Sequence, residues 1–305
     1  MTATVFIDGA VGTTGLEIRD RLAGRTDIVV VTLADDRRKD VAARREALND
    51  ADFAILCLPD DAAKEAVALI ADGGTRVIDG SSAHRVAAGW TYGFPEIGFD
   101  VAGAAMVSNP GCYPTGFLAL VAPLVRAGLV PHDWPLTVNA ISGYSGGGKS
   151  LIERFDDEES LAFRDYGFAL EHKHVPEMQR HAGLAYPPVF APMVARAFRG
   201  MIVEVPLPIA AMPGRLSRAA MLDALRAAYD HQPVVSVHDD APDELLIARD
   251  APLSDRLDLH VFANHRGDQA RLVACLDNLG KGAAGAAVQN LNLMAGLDPL
   301  AGLVL

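Results

Sequence analysis

The chain has 305 residues, half of them hydrophobic and 22% charged, a composition that can bury a large core and excludes disorder and collagen-like repetition. Its 27 Lys and Arg against 39 Asp and Glu leave a formal net charge of −12, which argues against a nucleic-acid or membrane partner and for small-molecule chemistry. Three cysteines, Cys57, Cys112 and Cys275, are too few and too odd a set for a disulfide framework and fit a reducing compartment.

The opening MTATVFIDGAVG lacks the basic region and long apolar run of a secretory signal. The most apolar later stretch, residues 117–130, is broken by Pro123 and Arg126 and falls short of the ~20 apolar residues of a membrane span. A cytoplasmic protein is the expectation. In chain order, β-branched runs alternate with amphipathic stretches, the pattern of βαβ units on a doubly wound parallel sheet. Strands are predicted at 4–8, 28–33, 53–58 and 76–79, with helices at 15–22, 41–49 and 61–71 between them. A short strand from 106 then ends in Asn109-Pro110-Gly111, and a strongly apolar helix begins just after Cys112. The spacing therefore predicts two domains, 1–111 and 112–279. The second carries strands at 136–141, 201–207, 234–237, 245–247 and 257–263, with a helix at 216–229, giving an α+β domain on a mixed sheet. The closing stretch, GKGAAGAAVQNLNLM, is rich in small residues and helical in spacing. No repeat of 20 to 50 residues is visible.

Four motifs carry chemistry. Gly9-Ala10-Val11-Gly12-Thr13-Thr14-Gly15 lies between a predicted strand and a helix, where glycines permit a tight turn and let backbone N–H groups approach a pyrophosphate. Its spacing is GxxGxxG rather than GxGxxG, and an ordinary glycine-rich turn is the plain alternative. The second strand leads into Asp35-Asp36-Arg37-Arg38-Lys39. An acid there would hold the ribose hydroxyls of NAD, whereas the adjacent Arg37 and Arg38 favour the 2′-phosphate of NADP.

Asn109-Pro110-Gly111-Cys112-Tyr113-Pro114-Thr115-Gly116 sets Cys112 at a helix start, where the helix field favours a nucleophilic thiolate. Cys57 and Cys275, inside apolar patterns, read as buried structural cysteines. In Glu171-His172-Lys173-His174-Val175-Pro176-Glu177, an extended segment would point both histidines the same way, either able to act as acid or base. A zinc pair lacks further ligands at the right spacing, so no metal is expected. Gly143-Tyr144-Ser145-Gly146-Gly147-Gly148-Lys149-Ser150 satisfies the P-loop pattern. It falls outside the first strand of a parallel sheet and lacks a partner strand ending in Asp for magnesium, which leaves a phosphate cradle for a substrate as the milder reading.

These motifs, together with Asp79-Gly80-Ser81-Ser82-Ala83-His84-Arg85, Tyr92-Gly93-Phe94-Pro95-Glu96 and the closing GAAVQN, resemble the short form of the N-acetyl-gamma-glutamyl-phosphate reductase family along nearly the whole chain. The resemblance implies a Rossmann-type domain that binds NADPH, with residues 280–305 returning to it, and a catalytic and oligomerisation domain, as in glyceraldehyde-3-phosphate and aspartate-semialdehyde dehydrogenases. Gly9, Val11, Gly12, Thr13, Thr14, Gly15, Arg37, Arg38, Pro59, Ser81, Ser82, Asn278 and Gln289 are then expected at the cofactor. Cys112 would attack the acyl phosphate of N-acetyl-glutamyl phosphate, and NADPH would reduce the thioester to the semialdehyde. His172, with His174 in reserve, would be the acid at the thiohemiacetal oxygen. Asn109, Ser142, Gly146, Lys149 and Glu177 would contact the substrate, and the mixed sheet suggests a homo-dimer or tetramer. The competing readings are aspartate-semialdehyde dehydrogenase, which Tyr113-Pro114 and the HKHVPE segment oppose, a P-loop kinase, and a non-catalytic NADPH-binding sensor.

Overall fold

In the computed structural model, residues 2–71, 74–214 and 216–305 are described, and the chain falls into two units, Met1–Gly111 with Ala283–Leu303 and Cys112–Gly282 with Val304–Leu305. The first unit runs β1 (Ala3–Asp8), α1 (Thr13–Leu22), β2 (Ile28–Val31), α2 (Val41–Asp50), β3 (Phe53–Leu56), α3 (Asp60–Leu69), β4 (Arg76–Asp79), β5 (Thr91–Tyr92) and β6 (Met106–Ser108). Its strands lie in the order β2-β1-β3-β4-β6-β5, and every pairing is parallel. Helices cover both faces, which is why strands such as Phe-Ala-Ile-Leu of β3 are apolar throughout. On one face Ile18 and Leu22 of α1 join Val288 and Leu291 of the closing helix, Gly285–Ala295, against Ile7 and Ile55. On the other, Leu48, Ala63 and Ala66 of α2 and α3 pack on Phe6 and Leu56. The strand order reverses at β1, the place where open α/β sheets take ligands.

The second unit comprises α4 (Cys112–Arg126), β7 (Thr137–Gly143), α5 (Lys149–Asp157), β8 (Phe163–Asp165), α6 (Val175–Ala182), β9 (Val189–Ala195), β10 (Met201–Leu207), α7 (Arg218–Tyr229), β11 (Val235–His238), β12 (Leu257–Ala263) and β13 (Ala270–Leu276). These strands form one mixed sheet, β11-β12-β13-β10-β7-β9-β8, in which β11–β12 and β7–β9 are parallel and the other pairs antiparallel. The apolar helix α4 lies very close to this sheet. A Cβ at Gly116 would meet Val203 Cγ2 at 2.8 Å and Ala274 Cβ at 3.3 Å, so only glycine lets the helix settle there.

Several predicted boundaries shift for local reasons. The strand predicted to run to 33 stops at Val31, because Arg37 N and Arg38 N both donate to Ala34 O and turn the chain. The predicted strand at 245–247 is absent: those residues lie in an irregular run interrupted by Pro242 and Pro252. Ile247 instead anchors that run, lying where a Cβ at Gly200 would come within 2.4 Å of its Cγ2. Strands β8, β9 and β13 and helix α6 were not expected. Pro187, Pro188 and Pro192 mask β9 as a strand, since proline offers no ladder donor.

Pro123 sits inside α4 and cannot donate to Ala119 O, the acceptor four residues back. Tyr229 of α7 supplies the missing donor, its hydroxyl lying 2.7 Å from Ala119 O. Tyr229→Phe is therefore expected to destabilise the protein by about 1–2 kcal/mol. The loss should shrink in a Pro123→Ala background, where the restored N–H takes the carbonyl, as measured by a double-mutant cycle in denaturant.

On the opposite face of the sheet, His260 stacks on His238 at 4.5 Å between centroids. His260 is held below its ordinary pKa of 6.5, first by burial and then by His238, against the opposing pull of Asp240 and Asp258. The unfolded chain thus takes up a proton that the folded unit refuses. Stability falls as pH drops through about 6.5 and levels off only below the folded pKa. His260→Phe should flatten that acid limb in denaturation midpoints measured from about pH 7 to 5.

Candidate active site

Cys112 is the first residue of α4, directly after the Asn109-Pro110-Gly111 turn. Pro114 suits this start, because an N–H in the first turn has no intrahelical acceptor. The sulfur-bearing residue is partly exposed, and the chain keeps side chains away from it on one side. A Cβ at Gly282 would stand 2.9 Å from Cys112 Cβ and 3.0 Å from Asp277 O.

Within the second unit, aromatic rings gather the histidines beside α4. The Tyr113 ring meets His172 at 6.1 Å and His174 at 5.8 Å, and the two imidazoles are 4.7 Å apart. They do not lie on an extended segment. His172 lies in a turn and His174 caps α6 in helical conformation (φ −86°, ψ −14°), so the ring contacts, not strand alternation, bring them together. His174 N donates to His172 Nδ1 at 3.2 Å, which assigns the ring proton of neutral His172 to Nε2. His174 is buried, with its Nε2 4.0 Å from Glu177 Oε1. His172 is the more accessible of the two.

Tyr113 also shares a hydrogen bond with Ser142, and its hydroxyl is pushed up first by burial, then by Tyr166 and the charge of Cys112. Tyr166 donates to Tyr113 at 3.3 Å and is likewise raised by burial, with Cys112 adding to the effect. Both phenols therefore keep their protons and act as donors. Tyr166 is a member of this cluster that the motifs did not single out, and only its position six residues before His172 hints at it. Cys57 and Cys275 are pushed up to about 12, mainly by burial, so they remain thiols.

The glycine-rich run after β7 forms a tight turn, Tyr144–Gly147, followed by Gly148 with φ +72°. Four of its amides are already occupied: Gly143 N donates to Gly200 O, Tyr144 N to Ala197 O, Ser145 N to Phe198 O and Gly148 N to Ser145 O. A P-loop turns its backbone N–H groups to phosphate, and these four are not free to do so. A Cβ at Gly146 would approach Asn278 Nδ2 at 3.3 Å and Ser142 Oγ at 3.4 Å, and Lys149 is exposed at the start of α5. Asn278 was expected at the cofactor, yet its amide is committed inside the second unit. It accepts from Gly200 N at 2.9 Å and donates to Ser145 Oγ at 2.9 Å.

In the first unit, the nucleotide-type loop is shaped by backbone contact. Gly9 has φ +86°, and a Cβ there would lie 2.3 Å from Cys57 O; one at Gly15 would lie 2.5 Å from Gly9 O, and one at Gly12 3.4 Å from Gly9 O. Gly12 gives α1 no side-chain cap, so Val11, Thr13 and Thr14 flank a helix start suited to an anion. Arg37 and Arg38 are exposed and loosely paired with Glu46 at 3.7 Å and Asp35 at 3.8 Å. Pro59 precedes α3. The Ser81 hydroxyl donates to Asp79 and that of Ser82 to Asp60, each at 2.6 Å. Gln289 Nε2 donates to Glu96 at 2.8 Å. Asn109, expected at the substrate, is buried and bonded within the first unit. Its Nδ2 donates to Ala283 O at 2.9 Å and its Oδ1 accepts from Asn290 at 3.0 Å.

A parallel dinucleotide-type sheet, followed by a mixed-sheet unit that opens on a helix-start cysteine flanked by histidines, defines the semialdehyde dehydrogenase class. Family models described as semialdehyde dehydrogenase, NAD binding domain and semialdehyde dehydrogenase, dimerisation domain match residues 4–104 and 112–278. Fold likeness extends to aspartate semialdehyde dehydrogenase II of Vibrio cholerae, with TM-score 0.72, 16% identity and coverage of 97% of this chain and 99% of that one. Aspartate semialdehyde dehydrogenase with NADP from Candida albicans gives TM-score 0.68, 15% identity and coverage of 97% and 99%. Sequence likeness is much stronger to the N-acetyl-gamma-glutamyl-phosphate reductases of Chelativorans sp., 50% identical over 310 residues covering 96% of this chain and 98% of that protein, and of Trichormus variabilis, 47% identical over 319 positions covering 98% of each. The chain belongs to the N-acetyl-gamma-glutamyl-phosphate reductase family.

Gly282 lies outside the left-handed region, so alanine leaves its backbone unstrained and its Cβ crowds Cys112 Cβ first and Asp277 O next. Gly282→Ala is expected to lower kcat about 100-fold by displacing the sulfur, with a denaturation midpoint close to the wild type's.

Proposed function

We propose that the protein reduces N-acetyl-L-glutamyl 5-phosphate with NADPH to N-acetyl-L-glutamate 5-semialdehyde and phosphate, a step of arginine biosynthesis. Family membership along nearly the whole chain is the observation that carries this reading, and the surroundings of Cys112 suit its chemistry.

Cys112, at the positive end of α4, attacks the acyl carbon as a thiolate. A carbon–sulfur bond forms, the carbon–oxygen bond to phosphate breaks, and phosphate leaves. NADPH, when bound, supplies the hydride that reduces the resulting thioester. His172 Nε2–H donates a hydrogen bond to the oxygen that gains charge, and as the carbon–oxygen double bond re-forms the carbon–sulfur bond breaks, returning Cys112 as thiolate. Glu177 orients His174, and His174 N fixes the His172 ring through its Nδ1. Ser142, Gly146 and Lys149 border the substrate phosphate.

The cofactor would be held by the loop from Gly9 to Gly15, whose uncapped helix start fits a pyrophosphate. Arg37 and Arg38 would take the 2′-phosphate, since their exposed ion pairs are weak and readily exchanged. Pro59, Ser81, Ser82 and Gln289 would line the remainder, with the serine hydroxyls fixed by Asp79 and Asp60. The match of residues 112–278 to a dimerisation domain supports self-association, and we assign it to the sheet face opposite α4. That face exposes Ile141, Phe163 and Val189 at 47%, 68% and 52%, an apolar patch suited to a second copy. Among the described residues no helix is long and apolar enough to cross a membrane, and a thiolate mechanism needs a reducing compartment, here taken to be the cytoplasm.

Cys112→Ala is expected to abolish phosphate-dependent oxidation of N-acetylglutamate semialdehyde, the reverse reaction, while NADPH affinity measured by fluorescence titration stays unchanged. Retained turnover in that variant would remove the covalent mechanism. Equal kcat/KM with NADH and NADPH in the wild type would remove the assignment to Arg37 and Arg38.

A further inference from the structure

The substrate of the proposed reaction is anionic at both ends, with a phosphate at the reacting carbonyl and a carboxylate four carbon–carbon bonds away. The phosphate end has candidate partners around Cys112. We infer that Arg164 is the specificity-determining residue for the carboxylate end, a reading that rests on the proposed function.

Arg164 lies on β8, opposite Val194 of β9, which in turn lies opposite Ser142 of β7. The three side chains therefore share one row on the sheet face that carries α4, and two strand spacings put Arg164 about 10 Å from Ser142 along the row. Its guanidinium lies over the Tyr166 ring, 4.4 Å from the centroid. The same ring meets His172 at 5.7 Å and donates its hydroxyl to Tyr113. Cys112, Tyr113, Tyr166 and Arg164 thus form a continuous series from nucleophile to cation.

What sets Arg164 apart is that its hydrogen-bonding capacity is unused. Among the described residues its side chain has no hydrogen bond and no ion pair, although those of other arginines of this unit do. Arg196 donates to the carbonyls of Leu161 and Glu158, Arg199 pairs with Asp277 at 2.9 Å, and Arg154 pairs with Glu158 at 3.1 Å. Asp165, its neighbour in sequence, alternates to the opposite face. The ring contact claims none of the guanidinium N–H groups, and a planar guanidinium can receive a carboxylate with two parallel bonds. Lys149, exposed at the start of α5, is a point charge without that fork and suits the phosphate.

The test compares two aldehydes in the phosphate-dependent oxidation: N-acetylglutamate semialdehyde and 4-acetamidobutanal, which differs only in lacking the carboxylate. Arg164→Met should raise KM for the first about 10- to 100-fold, the worth of a charge-assisted pair, with kcat within about threefold, and leave KM for the second unchanged. Arg164→Lys should fall between, restoring charge without the fork. An unchanged KM for the carboxylated aldehyde, or an equal loss on both aldehydes, overturns the inference, since the second pattern marks a merely structural effect through Tyr166. Wild-type turnover of the acetylated semialdehyde in the same series separates this failure from failure of the functional reading, which alone predicts that activity.

Discussion

The close seating of α4 on the mixed sheet is the constraint from which the catalytic geometry follows. Gly116 allows the helix backbone to approach Val203 and Ala274, and burial along most of its length fixes it against sliding or turning. A helix so fixed holds its first residue in a set place, and that residue is Cys112. Gly282 then keeps the space beside the sulfur free of a side chain. Packing that looks purely structural therefore positions the nucleophile.

In the first unit, polar groups do comparable work inside an apolar frame. Asp8 at the end of β1 receives Arg44 Nε and Nη2 at 3.0 and 2.8 Å, which offsets the burial of both charges. Asn290 links Gly93 O with the Asn109 side chain, and Asp79 gathers Ser81 and His84. The Asn290 bonds tie the chain just after β5 and β6 to the closing helix, and the Asp79 bonds order the loop that follows β4. Asn109, a candidate ligand contact in the sequence, also holds backbone through its bond to Ala283 O.

The parallel sheet was readable because βαβ units repeat a simple alternation, and the turn before Cys112 because proline and glycine mark it. The mixed sheet was only partly readable. Pro192 disguises β9, whereas the apolar triplet ending at Ile247 imitates a strand while serving as a loop anchor. The histidine pair was found by residue type, but its convergence depends on the rings of Tyr113 and Tyr166. Those contacts join α4, β8 and the segment before α6, which are far apart in sequence, and local spacing carries no trace of them. Arg164 was invisible for the same reason: an arginine in a short edge strand looks like any solvated charge until its neighbours are known.

The stitched loop between β7 and α5 bears on how nucleotide-binding signatures are recognised. Its letters satisfy a phosphate-binding consensus, yet four of its amide donors already face carbonyls of the 197–200 segment and of the loop itself. A consensus counts glycines, whereas an oxyanion counts unclaimed protons. Relatives that share these letters would be misfiled as nucleoside-triphosphate users by pattern alone, and one hydrogen-bond inventory of the loop suffices to sort them.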